Sequence, residues 1–130
     1  MGNIDIFSDF YSFRNQIIEK FGDFYAEQSD VFFERAVFLA DKGLTLSAIT
    51  DAKFAYSLSQ YQPENYRPVY LIGFLSQIHL DNNMIREAKA YCDLGFRLLD
   101  KEDPDYENDY KSFSDLRDII KGDEWKTSIF

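Results

Sequence analysis

Two stretches of the chain carry small side chains at matching places forty residues apart. Ala36 falls opposite Ser76, Gly43 opposite Asn83, Ala48 opposite Ala88, Ala52 opposite Cys92, Ala55 opposite Gly95, and Leu58 opposite Leu98. Self-similarity at a fixed period points to stacked copies of one supersecondary unit, each too thin to bury its apolar face alone. The later copy is the clearer. In YLIGFLSQIHL, Leu71, Ile72, Leu75, Ile78 and His79 recur at three- and four-residue steps. After DNNMI, the positions Ala88, Tyr91, Cys92, Gly95, Leu98 and Leu99 repeat that period. Each run therefore has one buried face at helical spacing, and a tight turn joins the two into a helical hairpin. Ser76, Ala88 and Gly95 lie where the helices cross, and small residues there let the backbones approach closely.

The order Leu75, Ser76, His79, Leu80, Asn83, Ile85, Glu87, Ala88, Cys92 and Gly95, followed by Pro104, resembles a degenerate tetratricopeptide repeat. Ser76 stands where that family has its first glycine, His79 and Cys92 replace aromatics, and Pro104 comes a few residues late. The resemblance implies an all-α fold of antiparallel helical hairpins, stacked as a short right-handed array of about six helices. It also implies a concave surface, lined by the first helix of each hairpin, that holds an extended segment or helix of another protein. In the forty-residue register that surface presents Asp30, Phe33, Val37 and Asp41 from the first hairpin, and Tyr70, Phe74, Gln77 and Asp81 from the second. Aromatics there supply anchoring area and carboxylates at the rim engage Lys or Arg.

At 130 residues the chain is expected to form one domain with its own core. An amphipathic entry helix is expected over residues 4–28, with Phe7, Phe10, Tyr11, Ile17, Ile18, Phe21, Phe24 and Tyr25 largely on one stripe. The first hairpin spans 29–61: Ser29 and Asp30 are placed to cap its first helix, and Gly43 to end that helix in a left-handed conformation. The second hairpin spans 66–101, and Pro63 and Pro68 in the connection stop one helix and start the next. A closing helix over 105–121 carries Tyr106, Tyr110, Phe113, Leu116, Ile119 and Ile120, with Gly122 suited to its end. The tail 122–130, with Trp125, Ile129 and Phe130, is too apolar for plain linker and either folds back or meets a partner, which makes Trp125 a further candidate contact.

The 14 basic against 23 acidic residues leave a net charge of −9, which repels nucleic acid and favours a basic protein partner. From Asp100 onward acids outnumber bases ten to five, so the last quarter of the chain carries over half of that charge. One histidine, one cysteine and the absence of a phosphate loop, a GxSxG elbow or a His-x-x-x-His pair leave no catalytic constellation, and no cofactor is expected. Both His79 and Cys92 are read as core residues. A calcium loop starting at Asp103 would need glycine where Asn108 sits and glutamate where Ser114 sits, so the acidic run reads as a solvated loop whose carboxylates favour the start of the next helix. No stretch approaches the ~20 apolar residues of a membrane span, and the N-terminus lacks the pattern of a secretion signal. The expected location is cytoplasmic.

These observations point to a non-enzymatic protein-binding module that takes a basic or amphipathic segment of a toxin, effector or complex subunit. By size and acidity a bacterial immunity protein or effector chaperone fits within that class. The rival from a different class is a structural subunit, assembled through the aromatics of the first helix and the Trp125 tail.

Overall fold

The computed structural model describes residues 6–61 and 68–129, without the side chains of 6–11, 13–15, 17–18, 22 and 124–129. Among the described residues it is all helical, with no strand. Five helices follow one another: α1 (Ile6–Asp41), α2 (Thr45–Ser59), α3 (Val69–Asp81), α4 (Ile85–Leu98) and α5 (Tyr106–Ile129). They carry six roles, because α1 serves both as entry segment and as the first arm of hairpin one.

The two hairpins repeat each other at the turn, down to individual hydrogen bonds. Gly43 has φ 79° and Asn83 has φ 60°, the left-handed region that glycine enters freely and asparagine more readily than most residues. Around them the α1 and α3 ends close in the same two-bond motif. Gly43 N–H donates to Ala40 O and Leu44 N–H to Leu39 O, at 3.0 and 2.9 Å. Asn83 N–H donates to Leu80 O and Met84 N–H to His79 O, at 3.0 and 2.8 Å. These bonds satisfy carbonyls that a helix end otherwise leaves orphaned. Leu44 and Met84 then stand at the N-cap positions of α2 and α4, where neither side chain makes a capping hydrogen bond, so the turn geometry itself launches each second helix. Pro68 precedes α3, where a missing N–H costs nothing, and its carbonyl accepts from Ile72 N–H at 3.0 Å. The expected stop at Pro63 lies outside the described residues.

Apart from the exposed turn pair Gly43 and Asn83, the paired small positions are buried where the helices pack. Ala36, Ser76, Ala48, Ala88, Ala52 and Ala55 are fully enclosed, and Cys92 is nearly so. Around them sit Leu71, Leu75, Ile49 and Ile78 on one side, and Ile72, Leu80, Phe113, Leu116 and Ile120 on the other. A serine hydroxyl pins each seam to a backbone carbonyl of the second helix. Ser29 donates to Ala55 O and Ser76 to Ala88 O, both at 2.8 Å and buried. A bidentate pair, Arg35 Nε and Nη2 to the two Asp51 carboxylate oxygens at 2.6 and 2.8 Å, adds a second tie between α1 and α2.

The structure differs from the sequence reading at three places, two of them helix boundaries. The chain does not break at 28: α1 runs unbroken for 36 residues, about 54 Å, through Gly22 and Ser29. Ser29 spends its hydroxyl on the neighbouring helix rather than on a cap, and no proline interrupts the run. α5 likewise continues through Gly122 to Ile129, because that glycine keeps helical backbone angles instead of the positive φ of a terminating cap. Finally, Tyr110 and Ile119, expected on the buried stripe of the last helix, are 43% and 51% exposed. They flank the buried line Phe113, Leu116, Ile120, since α5 is covered on the α4 side and only partly on the α3 side.

Candidate functional site

Since α1 and α3 are the first arms of adjacent hairpins, residues forty apart on them meet side by side. Phe33 lies edge-to-face against both Tyr70 and Phe74, with ring centroids 5.1 and 5.4 Å apart. The Tyr70 hydroxyl donates to Asp30 Oδ1 at 3.1 Å, across that forty-residue interval. One turn further along α3, Gln77 Nε2 donates to Asp81 Oδ1 at 2.7 Å. Four of the sequence-designated residues, Asp30, Phe33, Tyr70 and Phe74, therefore form one cluster. Val37 is half-buried on α1, and Asp41 is exposed at the helix end. The Trp125 side chain lies outside the described residues.

The concavity itself is displaced from that cluster toward α5. A groove of about 530 Å³ runs between α3 and α5. Its α3 wall is Val69, Tyr70, Gly73, Phe74 and Gln77, and its α5 wall is Asp109, Ser112, Phe113, Asp115, Leu116 and Ile119. Only Tyr70, Phe74 and Gln77 of this lining were designated from the sequence. The α5 wall was missed because the last helix reads simply as a cover for an exposed hairpin face. Two signals did mark it: Tyr110 and Ile119 widen its apolar stripe beyond what one neighbour can bury, and the acidic run feeds directly into its first turn.

Among the described residues the charge lining the groove is of one sign: Asp109 and Asp115 line it, and no lysine or arginine does. Burial pushes the Asp109 carboxyl above its ordinary value, and the charges of Asp105 and Asp103 push it further in the same direction. The preceding turn is ordered by its own acids: Asp103 Oδ1 accepts from Asp105 N–H at 2.8 Å, and Asp100 Oδ1 from Glu102 N–H at 3.0 Å. That turn leads straight into α5, which puts the Asp103 and Asp105 carboxylates by the positive end of its dipole and near enough to Asp109 to act on it. An apolar floor with a carboxylate rim can seat a cationic amphipathic segment, whose bases would relieve the repulsion around Asp109.

The chain's one histidine and one cysteine are enclosed. His79 is fully buried, its Nδ1 donates to Leu75 O at 2.7 Å, and its ring lies 5.3 Å from that of Tyr91. The carbonyl can only accept, so Nδ1 carries the hydrogen. Cys92 is buried with its thiol donating to Phe113 O at 3.4 Å, and burial raises its pKa. Neither reaches the groove. Compared with protein-family models, characterised proteins and solved structures, the chain gives no match.

Proposed function

We propose that this chain is a non-enzymatic protein-binding module, and that the groove between α3 and α5 receives a basic, amphipathic segment of another protein. The observation that carries the reading is the pairing of an apolar floor (Val69, Phe74, Phe113, Leu116) with a rim whose charged lining residues, Asp109 and Asp115, are both acidic. A segment with Lys or Arg on one face and apolar residues on the other satisfies both features at once. Holding such a segment occludes it, which is the action of an immunity protein toward a toxin or of a chaperone toward an exported effector. The net charge of −9 favours encounter with a basic partner. A fluorescent Lys-rich amphipathic peptide titrated against the protein tests the reading. Binding should weaken as salt rises from 50 to about 500 mM and fall further in an Asp109→Asn/Asp115→Asn chain. Equal affinity at both salt concentrations and in both chains rejects it.

A second reading, assembly as a structural subunit, is favoured by one separate observation. Phe24, Val31 and Phe38, seven residues apart on α1, are 56%, 55% and 58% exposed, on the side opposite Ser29 and Ala36 that faces α2. A heptad-spaced apolar line on a long helix fits a second helix laid along it. Light scattering decides between the two: a dimer dispersed by Val31→Asp supports assembly, and a monomer at millimolar concentration removes it.

A further inference from the structure

A local concentration of positive charge lies on the other side of α5 from the groove. Lys89, Cys92 and Asp93 of α4 and Arg117, Ile120 and Lys121 of α5 enclose a cavity of about 140 Å³. Three of these six residues are cationic, in a chain whose acids outnumber its bases 23 to 14.

The Arg117 guanidinium is fixed before any ligand arrives. Its Cζ lies 4.4 Å from the centroid of the Phe96 ring, and its Nε is buried in the α4/α5 seam without a hydrogen-bond acceptor. Stacking on an aromatic face orients the planar group while leaving its charge uncompensated. With Nε shut in the seam, the Nη edge is the part of the guanidinium left to meet a ligand. Among the described residues neither Arg117 nor Lys121 takes part in an ion pair, although Asp93 lines the same cavity. Arg117, held rigid, and Lys121 beside it form a preorganised acceptor of negative charge.

From this geometry we infer that the α4/α5 cavity binds a tetrahedral oxyanion of the phosphate type, with Arg117 and Lys121 as its principal charge partners. The volume equals roughly four to five water molecules, which admits one such group and excludes a nucleotide. Free phosphate and the tip of a small phosphomonoester share this chemistry. Lys89 adds a third positive charge at the rim, and Asp93 opposes the anion and limits its affinity. This site is independent of the groove and of what the groove binds.

The test is a thermal-shift and calorimetric titration of the full chain with inorganic phosphate, at ionic strength held constant with chloride. A saturable rise in melting temperature beyond the chloride control is expected. Lys121 is exposed, so Lys121→Gln should leave the phosphate-free melting temperature unchanged while weakening phosphate binding about tenfold. Asp93→Asn should strengthen it several-fold. Glycerol phosphate binding as well as phosphate assigns the site to monoesters, and phosphate binding alone assigns it to the free ion. Phosphate no better than chloride, or equal affinity in the parent and both variants, overturns the inference.

Discussion

Replacing Gly95 by alanine tests the packing of α4 on α5 most sharply, because two known effects of opposite sign compete there. A β-carbon built on Gly95 would lie 2.2, 2.4 and 2.8 Å from Cε1, Cζ and Cδ1 of Phe113. Carbon atoms in contact sit at about 3.5–4.0 Å, so the ring would have to retreat by more than about 1 Å. It has little room, being 2% exposed, with Phe96 5.8 Å away and Gly73 on its other side. Overpacking of this depth belongs in the upper part of the ~1–3 kcal/mol range. Against it, alanine in a helix interior is favoured over glycine by about 1 kcal/mol. The net is a loss of about 1–2 kcal/mol, or a melting temperature lower by roughly 4–8 °C. Two other helical glycines serve as controls. At Gly73 the nearest atoms to an added Cβ are 3.8 and 3.9 Å away, and at Gly122 none lies within 4 Å. Gly73→Ala and Gly122→Ala should therefore each stabilise by about 0.5–1 kcal/mol. Urea and thermal unfolding of the three variants, with Gly95→Ala/Phe113→Leu to measure the coupling, provide the readout. A Gly95→Ala chain that melts above the parent, as Gly73→Ala should, would mean the Phe113 ring is not seated on α4, and the account of this interface would fall.

Ala48→Leu and Ala88→Leu, at equivalent crossings and both fully buried, should each cost about 1–3 kcal/mol by overpacking; melting curves like the parent's would show that the seams are not close-packed. Acid titration should expose the Arg35–Asp51 tie: the hydrogen bonds from Arg35 hold the Asp51 carboxyl below its ordinary value. A depressed carboxylate stabilises the fold above its unfolded pKa of about 3.9 and loses that contribution as pH falls through the folded value. Urea midpoints should thus decline more steeply below about pH 4 in the parent than in Asp51→Asn. The Cys92 thiol, raised by burial first and by the charge of Asp93 second, with Arg117 opposing, should resist a thiol reagent at neutral pH until denaturant opens the fold. Fast reaction of the native chain would place the thiol at the surface.

Features that depend on a few neighbouring residues could be read directly from the chain. Helical period alone placed Leu71, Ile72, Leu75 and Ile78 in the core, and the match of Gly43 with Asn83 located two turns that close with equivalent hydrogen bonds. The small residues forty apart anticipated both seams, because close approach of two helices requires small side chains at the crossing whatever the rest of the fold does. Pairing across the same interval also brought Phe33 to Tyr70 and Phe74, since equivalent helices of stacked hairpins lie side by side.

What the tertiary structure decided are the places where elements distant in sequence share one surface. Ser29 caps a helix by local rules, yet its hydroxyl reaches Ala55, and the helix it was expected to start is the continuation of α1. Gly95 is one small residue among several until Phe113 occupies the space it leaves. The groove is of the same kind: its α3 wall was legible in the repeat, but its acidic wall exists only because α5 packs beside α3 with Asp109 and Asp115 turned toward it. Periodicity and turn chemistry act over a handful of residues, whereas a groove is a relation between helices, set by how side chains from separate parts of the chain fill the same volume.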